Sequence, residues 1–433
     1  MLDNSLGPAN SPGHPVEVAD LRHHRVVAIA AMRVIQRLIT GALVGASAVL
    51  LAGTATAPAL PRYPVADPDP FYAQPADLAA YQPGDVIAVR RLPPLLTFPG
   101  TTLTLVKFRS TNSRGLPIAA TTTVLTPPGH RPDGPLLSYQ HIINGLGPRC
   151  AISRVLYTAD PNLQVREAVA LNVLLMRGWS IALPDHLGPT FAYGAARLGG
   201  QITLDGIRAA QRVPELAVQR SPVAMAGYSG GGMATAWAAA LAPSYAPELK
   251  LAGAAAGGVP ANLVRMLEAL QFNPHPGFGL VMAAGIGLER EYPDRFPISD
   301  HLNPTGLAAR DHMANGCTNE IIATGAGRSV RDYASNTSLM HDADARAVVE
   351  ENSIELFDGI PNMPIFEWHS PTDPLIPIDS IVATNRRYCA AGVPVQAELT
   401  ASPEHLSAAV LGVPSMVAWL DARFRGEPAP SNC

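Results

Sequence analysis

Apolar and polar residues alternate over Leu103 to Ser110 and again over Ile118 to Thr126, with Asn112-Ser113-Arg114-Gly115 between the two runs. A period of two marks strands with one buried face, and the polar, Gly-containing joint predicts an antiparallel hairpin. A third short apolar run, Leu136 to Gln140, predicts another strand. Beyond it the period lengthens: Val165, Ala168, Val169, Leu171, Asn172 and Leu175 share one face of a helix that stops near Gly178. The chain then reads as strand over Ser180 to Leu183, helix over Leu204 to Leu216, strand over Val223 to Ala226, helix from Met233 to Ala240, and strand over Lys250 to Ala256. Strands alternating with helices after an opening hairpin predict an α/β fold, mostly parallel in its sheet and with helices on both faces.

From about Asn262 to Arg346 the strand pattern is missing. Leu263-Val264-Met266-Leu267-Leu270 and Phe278-Leu280-Val281-Met282 are helical pieces, and an insertion of this size between strands is most simply a helical cap over a site. A structural subdomain remote from any site is the other reading. Pro364 to Trp368 restores the strand pattern, followed by a helix at Asp379 to Ala391, a last strand at Val393 to Leu399 and a final helix around Pro414 to Phe424.

The amino-terminal part follows neither period. Residues 1–31 are an extension, with no structure assigned to the polar, Pro- and Gly-rich stretch through Asp20, and Tyr63 to Pro94 is loop-rich. Between them, Arg33 and Arg37 precede an uncharged run from Leu38 to Ala59 that ends in small residues. Basic start, apolar middle and small-residue end predict a signal peptide over 32–59, with Met32 as a possible start. A permanent membrane anchor over 38–59 is the alternative. The catalytic domain is then 60–433.

Composition narrows the function. A net charge of -4 with 15% charged residues argues against a nucleic-acid surface, while 47% hydrophobic content is that of a globular chain. Four cysteines, Cys150, Cys317, Cys389 and Cys433, contain no C-x-x-C pair, which disfavours zinc and redox motifs and fits two disulfides in an exported protein.

The chemistry centres on Gly227-Tyr228-Ser229-Gly230-Gly231, set between an apolar strand and a helix. Gly-x-Ser-x-Gly in that setting is a nucleophile elbow, whose sharp turn holds the Ser hydroxyl out of the sheet. Side chains at 227 and 231 would collide as strand and helix close. The Gly230 amide, at the mouth of the helix, can donate to an oxyanion. Serine needs a base within hydrogen-bond reach and a carboxylate to orient that base, in the chain order Ser, acid, His. Asp373, after the strand ending at Trp368, fits the acid better than Asp358, which precedes the strand, or Asp379, at a helix start. His405, just after the last strand, fits the base. A second oxyanion donor belongs in the loop after the early strand, and the backbone amide of His141 is the candidate. Asp185 and His186 lie at another strand end and read as a wall of the site or a structural pair, outside the catalytic set.

Together Asp67-Pro68-Asp69-Pro70-Phe71-Tyr72, Ser138-Tyr139-Gln140-His141, Pro184-Asp185-His186-Leu187-Gly188-Pro189, the elbow, Thr372-Asp373 and Glu404-His405-Leu406 resemble the secretory lipase family, from about Tyr63 to the carboxyl terminus. The resemblance implies an exported α/β-hydrolase fold that cleaves triacylglycerol or related esters, with a helical lid and no cofactor or metal. It places Ser229, Asp373 and His405 on the triad and Gly230 and His141 on the oxyanion donors. It also implies the pairs Cys150 with Cys317 and Cys389 with Cys433. Acyl transfer or peptide cleavage by the same triad, and a non-catalytic binding protein of this fold, are the competing functions.

Overall fold

The computed structural model describes residues 59–143, 145–270 and 272–433; the expected extension and all but the last residue of the expected signal segment lie outside them. One nine-stranded sheet runs in the order β1-β2-β3-β5-β4-β6-β7-β8-β9. Its strands are β1 (Val86–Arg91), β2 (Thr102–Thr111), β3 (Pro117–Thr126), β4 (Leu136–Gln140), β5 (Ser180–Pro184), β6 (Val223–Tyr228), β7 (Leu251–Gly257), β8 (Ile365–His369) and β9 (Val395–Leu399). The β1, β2, β3 and β5 pairings are antiparallel, and every pairing from β5 through β4 to β9 is parallel. This is the α/β-hydrolase fold expected from the strand and helix alternation.

Successive strand residues feed opposite cores. Val223 and Met225 enter one apolar cluster with helices α2 (Ala196–Arg212), α3 (Gly230–Tyr245) and α9 (Asp379–Ala390). Ala224 and Ala226 enter the other, with α1 (Ala168–Met176), α10 (His405–Leu411) and α11 (Val413–Phe424). Both faces of the parallel strands are therefore covered, which explains their continuous apolar character.

Boundaries differ from the sequence reading at several elements. The loop-rich stretch before residue 94 contains β1, an edge strand whose Arg90 and Arg91 conceal the pattern. The helix expected from Leu204 begins at Ala196, running through Gly199 and Gly200. A Cβ at Gly200 would lie 2.9 Å from the Ala238 nitrogen, so the glycine permits close packing of α2 on α3.

Between β7 and β8 lie five helices longer than a turn: α4 (Leu263–Leu270), α5 (Phe278–Glu291), α6 (Pro304–Met313), α7 (Thr318–Gly325) and α8 (Ala343–Glu351). The expected end near Arg346 falls inside α8. Cys150 is bonded to Cys317 and Cys389 to Cys433. The first bond ties the loop after β4 to the start of α7.

Candidate active site

β6 turns into α3 at Ser229 with almost no room to spare. Ser229 has φ +54 and ψ -121, a conformation rarely adopted by a residue with a side chain, and its amide donates to the Gly257 carbonyl at 2.9 Å. A Cβ at Gly227 would lie 2.5 Å from the Gly231 carbonyl oxygen, and one at Gly231 would lie 1.9 Å from that of Gln140. Gly232, outside the motif read from the sequence, is equally constrained: its Cβ would fall 2.4 Å from the Gly257 oxygen.

Onto this turn the segments after β8 and β9 bring an aspartate and a histidine. His405 Nε2 lies 2.9 Å from Ser229 Oγ, and His405 Nδ1 lies 2.6 Å from Asp373 Oδ2. The other Asp373 oxygen accepts the Leu375 and Ile376 amides, each at 2.9 Å. Burial works to raise the Asp373 carboxyl, but the hydrogen bond and charge of His405 and those two amides outweigh it and hold the group below its ordinary range. His405 is the first residue of α10 rather than part of a loop, and Glu404 caps that helix through the Leu406 and Ser407 amides. The Tyr228 hydroxyl donates to the His405 carbonyl at 2.7 Å, fixing the backbone that carries the imidazole. Ser370 Oγ donates to the Ser402 carbonyl at 2.8 Å, so the acid and His loops are also joined directly.

Gly230, as the first residue of α3, has an amide without an intrahelical acceptor. The end of β4 passes the same turn, since the hypothetical Cβ at Gly231 would also lie 3.1 Å from the His141 carbonyl oxygen. The His141 ring itself is buried against Glu167, while its carbonyl accepts from His186 Nε2 at 2.9 Å. Asp185 and His186 are not paired with one another: Asp185 accepts from Thr121 Oγ1 at 2.5 Å and from the Ser153 amide. Burial lowers His186 to about 4, only partly opposed by the His141 carbonyl, so the imidazole remains a neutral wall.

Ser229 and Gly230 border a cavity of about 200 Å³ whose remaining wall comes largely from the helices between β7 and β8. Leu263, Met266, Leu267 and Leu270 of α4 and Phe278, Leu280, Val281 and Met282 of α5 line it. Val264, grouped with them in the sequence, does not; it packs against the core. Tyr228, Gly232 and the buried Glu367 and His369 were not singled out from sequence. A carboxylate and an imidazole two residues apart in an otherwise apolar strand were the available signal for the last two.

A nucleophile elbow in an α/β-hydrolase fold, with base and acid in hydrogen-bonded order, defines the class of the serine hydrolases. Residues 161–432 match the secretory lipase family. The chain is 30% identical to lipase 10 of Candida albicans over 392 residues, covering 84% of this chain and 82% of that protein. It is 32% identical to a protein of Mycobacterium tuberculosis named probable inactive lipase, covering 83% and 82% of the two chains. The solved structure of Candida antarctica lipase A in its closed state superposes with a TM-score of 0.78 at 27% identity, covering 84% of this chain and 89% of that one. The chain belongs to the secretory lipase family and is an ester hydrolase.

Proposed function

We propose that the protein is an exported lipase that hydrolyses long-chain acyl esters, triacylglycerols among them, through Ser229, His405 and Asp373. The observation that carries the substrate class is the continuity of Ser229 with an apolar cavity. His405 accepts the Ser229 proton as the hydroxyl oxygen attacks the ester carbonyl, and Asp373 orients and stabilises the resulting imidazolium. The amides of Gly230 and His141 receive the oxyanion. His405 then returns the proton to the departing alcohol, and water activated by the same imidazole releases the acid from Ser229.

The helices from 262 to 346 act in this reading as a cap that shelters the acyl chain at a lipid–water interface. Flexible Met and bulky Leu side chains suit a hydrocarbon of variable shape. Each methylene buried contributes about 0.8 kcal/mol, so a sheltered chain discriminates steeply by length. Export is supported by the two disulfides, which persist in oxidising compartments.

Hydrolysis of p-nitrophenyl esters from acetate to palmitate tests the substrate class. The expected result is kcat/KM rising with chain length until the cavity is filled. A preference for acetate would contradict it.

A further inference from the structure

Behind Asp373 the site continues into the sheet. Glu367 and His369 are two residues apart on β8, so their side chains leave the same face, and both are buried. His369 Nδ1 lies 3.1 Å from Glu367 Oε1. His369 Nε2 lies 3.1 Å from the Ile376 carbonyl oxygen and 3.7 Å from Asp373 Oδ2, the oxygen that receives His405. Ile376 meanwhile gives its amide to the other Asp373 oxygen. One fully buried ring thus touches the acid and the segment that aims it.

We propose that His369 is a positioning residue of this site: a buried imidazolium, paired with Glu367, that keeps Asp373 aimed at His405. The proposal rests on the triad reading above.

The neighbours of both ring nitrogens accept hydrogen bonds. A neutral imidazole carries one N–H and satisfies both sides only if Glu367 takes the proton instead. That arrangement has no net charge, and burial pushes the Glu367 carboxyl up in its favour. Two facts decide for the ring. Imidazole is ordinarily the stronger base, about 6.5 against 4.3, and Asp373 supplies a second carboxylate that only a charged ring attracts. Burial disfavours the charged ring, but the Glu367 hydrogen bond and charge, the Ile376 carbonyl and Asp373 together raise His369 above its ordinary range. Among the described residues, the charged or titratable groups around this cluster are Glu367 and His369 from β8, Asp373 from the loop after it, Tyr388 of α9, which lines a small cavity with Glu367, Tyr228 from β6, and Glu404 and His405 around the start of α10.

The cation has a kinetic consequence. A second positive charge beyond the carboxylate offsets part of the negative potential that Asp373 places on the base. Removing the cation leaves more of that potential. The acid limb of kcat/KM, which reports the free enzyme's base, then moves to higher pH.

Two measurements test the proposal. In the wild-type protein with 15N-labelled histidine, imidazole NMR at about pH 7 should find His369 with both nitrogens protonated; a neutral single tautomer overturns the proposal. In His369→Gln the acid limb should move up by about one pH unit. An unmoved limb in folded H369Q overturns it as well. The NMR measurement needs neither the variant nor activity, so it decides even where H369Q does not fold. Labelling of wild-type Ser229 by a fluorophosphonate is read separately: its absence removes the triad reading, whatever the state of His369.

Discussion

The two sides of the cavity are held by different means. On the sheet side, Ser229, Asp373 and His405 are positioned by backbone: a turn with no space for a Cβ at Gly227 or Gly231, amides on Asp373, and a hydroxyl on the His405 carbonyl. On the side of the proposed cap, a few pins hold helices around a hollow. Arg290 of α5 is buried and donates to the carbonyls of Leu146, Thr190, Phe191, Ala314 and Arg62, while Cys150–Cys317 fastens α7 to the loop after β4. In contrast, Met266 and Leu267 of α4 are only half-buried and face the cavity. A close-packed, hydrogen-bonded shelf suits groups that must meet within a few tenths of an ångström. An apolar hollow suits a chain that needs volume but no register. The difference predicts that changes on the shelf remove rate with little loss of stability, and that changes on the cap alter stability or selectivity with the chemistry intact.

The largest effect belongs to the nucleophile. Ser229→Ala should lower ester hydrolysis by about 10⁴-fold or more while the thermal midpoint stays at or above that of the wild type, because the strained serine carries chemistry rather than packing. Asp373→Asn comes next, with turnover reduced by about 10³ to 10⁴ and the fold retained. Should either variant lose stability and keep its rate, the division between shelf and cap fails.

On the other side, replacing both Cys150 and Cys317 by serine should cost about 2 to 4 kcal/mol in denaturant unfolding, since the bond closes a loop across a sequence separation of 167. Turnover of a short ester below the unfolding transition should be nearly unchanged. A tenfold loss of that turnover would mean that the cap helps to place the triad.

His186 gives the shelf a pH dependence. Its folded value of about 4 lies below the ordinary 6.5, so between those pH values the unfolded chain binds a proton that the folded protein does not. Stability therefore falls as pH drops from about 6.5 towards 4, by about 3 kcal/mol from this group, and no further below. His186→Gln, which can still donate to the His141 carbonyl, should flatten that slope in melts across the same range. The smallest effect is on selectivity: Leu267→Trp should fill part of the cavity and lower the palmitate-to-acetate ratio of kcat/KM by about tenfold, worth roughly 1.4 kcal/mol.

The same contrast governs what the sequence alone reveals. The elbow is legible because its chemistry is local: five consecutive residues specify the turn, and the order of strands assigns Asp373 and His405 to their loops. The first two turns of α2, before the expected start at Leu204, are not legible, because the reason for Gly199 and Gly200, the approach of α3, lies over thirty residues away. Glu367 and His369 carry no local signal beyond being polar in an apolar strand; only the return of Ile376 and Asp373 gives them partners. Of the helices between β7 and β8, α4 and α5 are legible from their apolar period, since period is local, whereas α6, α7 and α8 are not singled out by it. Their enclosure of Ser229 depends on tertiary contacts that no period encodes.

The proposed hydrolysis depends on an activated Ser229, whereas one relative is named an inactive lipase. Incubation of the folded protein with a fluorophosphonate, followed by peptide mass analysis, tests that activation most directly. One adduct is expected, on the peptide containing Ser229, absent from Ser229→Ala and strongly slowed in Asp373→Asn. A folded wild-type protein that takes up no label, or carries it on another serine, would contradict the proposed role of Ser229.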